Sequence, residues 1–177
     1  MELAQLAGLL RQRNTIDEQT AGIIDRPMTS GHLGEWIAAR VFAIDLEPSA
    51  VAPAVDGRFT SGSLRGRTVN VKWYLKREGV LDVTESPALD YYLVFTGPVS
   101  AAASSRGGTR PWCITSVYLF DAPQLLAELR ARGIKTPGAS SVRAARWAAS
   151  EIYPQANNTT LTLGPEQSNL LRLFAPA

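Results

Sequence analysis

The stretch Val69-Asn70-Val71-Lys72-Trp73-Tyr74 decides how the chain is read. Val69, Val71 and Trp73 alternate with Asn70, Lys72 and Tyr74, the period-two pattern of a strand with one buried face. Successive side chains on a strand point to opposite sides, so Asn70 and Lys72 share a face. Upstream, Asp56-Gly57-Arg58-Phe59 is followed by the turn-like run Thr60-Ser61-Gly62-Ser63-Leu64-Arg65-Gly66. That order predicts a hairpin that carries Asp56 back toward Lys72.

A helix over about residues 29–42, capped by Thr29 or Ser30, precedes the hairpin. Leu33, Ile37 and Val41 form its apolar stripe, beside a strip of small residues at Gly31, Gly34 and Ala38. A glycine inside a helix costs about 1 kcal/mol, so Gly34 points to close approach of another backbone. Glu35 lies next to that strip, where its carboxylate can lean over the sheet. Before this helix, a leucine-rich helix over about 2–13 and a shorter one to Ile24 are expected, the second capped by Thr15 with Glu18. The pair is either a helical hairpin packed on the core or a dimerisation arm.

Between the 29–42 helix and the hairpin a Pro- and Ala-rich loop is expected at 45–55, and an acidic connection is expected after Tyr74. Strands are expected at 89–95 and 111–119, with a small, polar loop at 100–110 between them. Helices are expected at 123–132 and 140–152, then a short strand at 161–163 and a closing helix. The result is a single α/β domain over 1–177, with a mixed central sheet flanked by helices. Its core spans about 30–132, with helical extensions at 1–27 and 140–177.

Composition excludes several classes. Hydrophobic residues at 45% and charged residues at 19% of 177 describe an ordinary globular chain. The net charge of +2 permits a nucleic-acid partner without announcing one. Cys113 is the only cysteine, so neither an internal disulfide nor a zinc-knuckle spacing is available. No signal peptide and no apolar run near the roughly 18 residues of a membrane span is present, and a cytoplasmic location is expected. The phosphate loop, dinucleotide fingerprint and nucleophile elbow are missing. His32, the single histidine, fits a role at the start of its helix better than a catalytic one.

The chemistry that remains rests on Glu35, Asp56, Asn70 and Lys72. Oxygen ligands with waters suit Mg2+ or Mn2+ rather than zinc. Such an ion, held by Asp56, Glu35, the Asn70 side-chain oxygen and the Val71 carbonyl, would polarise a phosphodiester, with Lys72 orienting water or neutralising charge.

These residues resemble the motifs of the PD-(D/E)xK, or restriction-endonuclease-like, nuclease superfamily. The likeness lies in Gly34-Glu35-Trp36-Ile37-Ala38 on a helix, an Asp56-Gly57 pair, and a Val69-Asn70-Val71-Lys72 strand. It covers roughly residues 30–119. Asn70 stands where the superfamily pattern has a carboxylate, which is similar to the amide of the Mrr-like branch. Val55 stands where the pattern has proline, and the loop at 100–110 is short where many members carry a helix. The resemblance implies a metal-dependent endonuclease of restriction or repair type, acting on DNA. Arg58, Arg65, Arg67, Lys76, Arg106 and Arg110 are the expected phosphate contacts. Two other readings follow from the same residues. One is a catalytically silent nuclease-like module that binds DNA or a protein; the other is an interaction protein in which Lys72 and Asp56 form only a salt bridge. A homodimer is also compatible with the sequence.

Overall fold

The computed structural model describes residues 2–48, 54–99 and 110–176. Its centre is β3 (Thr68–Tyr74), the strand expected from the alternation at 69–74. β3 is flanked on one side by β2 (Gly57–Phe59), antiparallel to it, and then by β1 (Ile44–Leu46), antiparallel to β2. On the other side lies β5 (Tyr91–Thr96), parallel to β3, then β6 (Ser116–Asp121) and β8 (Glu151–Tyr153), antiparallel in turn. This mixed six-stranded sheet has the order β1-β2-β3-β5-β6-β8, and β4 (Val80–Val83) with β7 (Gly138–Ser141) forms a separate ribbon.

Helices cover both faces of the large sheet. α2 (Ser30–Phe42) packs Ile37 and Val41 against Val69, Val71 and Phe95, joined by Leu171 of α5 (Pro165–Arg172). α3 (Ala122–Ala131) and α4 (Ala144–Ser150) cover the opposite face, where Leu125, Leu129 and Trp147 meet Tyr92, Val94 and Phe120. Each such fully buried side chain contributes about 1.5–3 kcal/mol. Gly34 is the close contact that its place in a helix suggested. A Cβ there would sit 3.2 Å from the Trp73 Cβ, so glycine lets α2 lie close on β3.

The sequence reading is corrected at several places. Residues 2–24 form one helix, α1 (Glu2–Ile24), rather than two. No proline interrupts it, and the Thr15 hydroxyl donates to the Arg11 carbonyl instead of capping a new helix. The expected helix at 140–152 is divided: Ser140 pairs with Leu81 in the β-ribbon, α4 occupies the middle, and Glu151 opens β8. β1 replaces part of the expected loop at 45–55, and β4 interrupts the acidic connection. The strand expected at 111–119 begins only at Ser116, and residues 161–163 are not a strand although Leu161 and Leu163 pack on the core. The loop expected at 100–110 lies outside the described residues apart from Arg110. No helix among the described residues is long and apolar enough to cross a membrane.

Candidate functional site

The hairpin register builds the site. Gly57 pairs with Val69 and Arg58 with Thr68, so β2 stops short of Asn70 and Asp56 is the first residue beyond the pairing. A Cβ at Gly57 would collide with the Asp45 carbonyl, so only glycine allows β1 to approach here. The Asp56 amide donates to the Val69 carbonyl at 2.9 Å. Its carboxylate Oδ2 then accepts the Val71 amide at 2.7 Å. Past Val69, therefore, the edge of β3 is held by a carboxylate rather than by another strand. Both backbone groups of a strand residue point the same way, so the Val71 carbonyl faces that edge too.

Asn70 and Lys72 share the face of the sheet that carries Tyr92 and Val94, their partners in register. Lys72 is half-buried with its Nζ 5.9 Å from the centre of the Tyr92 ring. Among the described residues it forms no ion pair, with Asp56 or any other acid. Burial pushes its pKa down, and the charges of Asp56 and Asp82 only partly oppose that. Asp56 is displaced the other way. Burial pushes its carboxyl up, the Val71 amide pulls it down, Glu35 raises it again, and Lys72 and Arg26 lower it. The charges of Glu35, Lys72 and Arg26 thus all reach Asp56, while those of Asp56 and Asp82 reach Lys72. Asn70 is 7% exposed, and its Oδ1 is a buried acceptor with no hydrogen-bond partner among the described residues. Leaving such an atom unpaired costs about 1–3 kcal/mol.

Three side chains at this site escaped the sequence reading. Arg26 donates to Glu35 Oε2 at 2.5 Å, although Asp25-Arg26-Pro27 reads only as a helix stop. Asp82 belongs to β4, a strand the sequence reading had taken for connection, and accepts the Tyr74 hydroxyl at 3.3 Å while its amide donates back at 2.8 Å. Tyr92, read only as part of a buried strand, supplies the ring under Lys72. No local signal would have paired Arg26 with Glu35, because the contact depends on how the chain enters α2. His32 serves the start of α2: its Nδ1 meets the Pro27 carbonyl at 2.8 Å and its amide donates to Thr29.

The basic residues fall into two groups. Arg65 and Arg67 lie at the hairpin turn, at the opposite end of β3 from Lys72, and Arg67 is paired with Asp90 at 3.0 Å. Arg58, beside Thr68 in register, lies 3.8 Å from Glu47. Lys76 and Arg110 instead line a cleft of about 260 Å3 with Ser30, Trp73 and Tyr74, at the Lys72 end, where Lys76 also pairs with Glu78 at 3.4 Å. Arg106 lies outside the described residues.

Among the described residues no group of three or more His, Cys, Asp or Glu side chains is placed to hold a metal ion. The oxygens gathered around Asp56 are its own carboxylate, the Glu35 carboxylate whose charge reaches it, and, on the adjoining β3 residues, the Asn70 amide oxygen and the Val71 carbonyl. The unpaired Asn70 Oδ1 and the Asp56 carboxyl, raised mainly by burial, are oxygen donors of the kind a hard divalent cation takes. A larger cleft of about 760 Å3 lies elsewhere, between the 61–64 turn and residues 160–167. It holds none of these groups. No family model matches the chain, and no curated protein matches it.

Proposed function

We propose that the protein is a divalent-metal-dependent deoxyribonuclease acting through the Asp56–Lys72 end of β3. The observation that supports this most is the placement of an unpaired buried oxygen on Asn70 beside a destabilised carboxylate and an unpaired lysine. Asp56, Asn70, the Val71 carbonyl and Glu35 would hold Mg2+ or Mn2+. The ion, when bound, supplies charge that polarises a phosphate oxygen. Lys72, half-buried on the same face as Asn70, would orient the water that attacks phosphorus or neutralise charge as the P–O bond breaks. Lys76 and Arg110 give the DNA backbone a second contact at the same end of the strand. Restriction or repair is the class of reaction this chemistry serves.

A second reading has its own observation in support. Arg26 occupies the Glu35 carboxylate and Asn70 supplies no charge, as in a silent module that binds DNA or a protein without cutting. Conversion of supercoiled plasmid across a manganese series separates the two. The nuclease reading expects nicking by the wild type and a loss of at least about 100-fold in Lys72→Ala. Equal rates in the two proteins would assign any cleavage to another source.

A further inference from the structure

α1 leaves a long apolar stripe uncovered. Leu9, Ile16 and Ile23 recur at intervals of seven and are 55%, 58% and 68% exposed, with Leu6 at 52%. Between them, on the same stripe, come Arg13 and Thr20, and Gln5, Gln12 and Gln19 border it at the same interval. A repeat of this kind keeps one seam of a helix facing a neighbouring helix. The seam borders the side on which α1 meets its own domain: there Ile24 is buried, and Asp17, Ala21 and the seam's own Thr20 are half-buried, while Leu6, Leu9, Ile16 and Ile23 stay exposed. The seam's Leu9, Arg13 and Ile16 form the α1 wall of a groove of about 480 Å3, with Met28 and Trp112 of the body opposite. Several large apolar side chains exposed along one helix are the mark of an interaction surface.

We propose that this seam binds a second copy of the chain, with the two α1 helices antiparallel about a two-fold axis near residues 14 and 15. Leu6 then lies opposite the partner's Ile23, Leu9 opposite the partner's Thr20, and Arg13 opposite the partner's Ile16. The pattern is complementary to itself only in this direction, because each smaller or polar seam position meets a large apolar one. A parallel pair would instead stack Arg13 on the partner's Arg13, setting like charges together in the seam. In the antiparallel pair Arg13, which lies 3.6 Å from Asp17 on its own helix, also comes within a turn of the partner's Asp17.

Sedimentation equilibrium of the full chain, from low to high micromolar concentration, tests this with two sets of variants. The expected result is twice the monomer mass for the wild type and monomer for Ile16→Asp. That substitution is at an exposed position, so an unchanged circular dichroism spectrum confirms the fold. Direction is read by oxidising Leu6→Cys and Ile23→Cys variants in a glutathione buffer. Cys113 is buried and stays out of the exchange. The antiparallel seam predicts disulfide-linked pairs from the mixture of the two variants and little from either alone. A monomer at all concentrations, a dimer that survives Ile16→Asp, or self-linking by Leu6→Cys alone would each overturn the proposal.

Discussion

Two aspartates from neighbouring segments accept main-chain amides of β3, Asp90 at Thr68 and Asp56 at Val71, and the two are treated in opposite ways. Asp90, at the start of β5, accepts the Thr68 amide at 2.8 Å, the Thr68 hydroxyl at 3.0 Å and Arg67 at 3.0 Å. Burial alone would push its carboxyl up, but those donors outweigh burial and hold it below its ordinary value. Asp56 has one amide donor, from Val71, and burial together with Glu35 leaves it above its ordinary value. The nearby polar groups follow suit. Thr68 also bonds to the Ala88 carbonyl, whereas among the described residues Asn70 Oδ1 has no partner and Lys72 no counter-ion. A carboxylate that ties strands together is one whose acceptors are filled. One left short of donors, beside another unpaired oxygen, is kept at some cost in stability, and the chemistry of a site is the reason that fits.

The largest effect that can break this contrast is on folding. Asp90→Ala removes three hydrogen bonds and strands the Thr68 amide, so urea unfolding should show a loss of about 2–3 kcal/mol. Asp56→Asn keeps an acceptor for Val71 and removes a poorly solvated charge, so its stability at pH 7 should match the wild type or exceed it by up to about 1 kcal/mol. Equal losses in the two variants would erase the distinction. Acid titration sharpens it through the signs. Asp90, with a lowered pKa in the fold, gives stability that is present above its unfolded value and lost as pH falls. Asp56, with a raised pKa, favours the fold at low pH, and that contribution is lost as pH rises through its folded value. If Asp56 holds the proposed ion, protons compete with it there, and the manganese concentration for half-saturation should fall as pH rises past the ordinary carboxylate range.

Smaller changes grade the site itself. Asn70→Asp adds a charged ligand in place of a neutral one, and should tighten manganese binding about tenfold, or about 1.4 kcal/mol. Arg26→Ala releases Glu35 from its 2.5 Å ion pair, and should lower the half-saturating manganese concentration about two- to threefold. Titrations followed by a fluorescent competitor would read both. A weaker metal response in Arg26→Ala would mean that Arg26 orients Glu35 rather than competing for it.

Much of this was legible from the residues. The alternation at 69–74 and the turn residues at 60–66 are local signals, and they set both the hairpin and the shared face of Asn70 and Lys72. Gly34 announced the close contact of α2 with β3. What could not be read depends on residues distant in sequence. Arg26 reaches Glu35 only after α1 hands the chain to α2, and Asp82 nears Lys72 only because β4 pairs with β7. Ser140 reads as a helix start because its apolar followers have helical spacing, yet its pairing with Leu81 overrides that preference. The arginines clustered in sequence around the hairpin are split by the strand that separates its turn from its far end.

Calorimetric titration of Mn2+ into the wild type and Asp56→Asn, at a pH above the Asp56 transition, tests the contrast between the two aspartates most directly. One ion per chain should bind the wild type, and the heat should vanish in Asp56→Asn while Asp90→Asn, if folded, still binds. No heat with the wild type, or binding undiminished in Asp56→Asn, would contradict a cation site at Asp56.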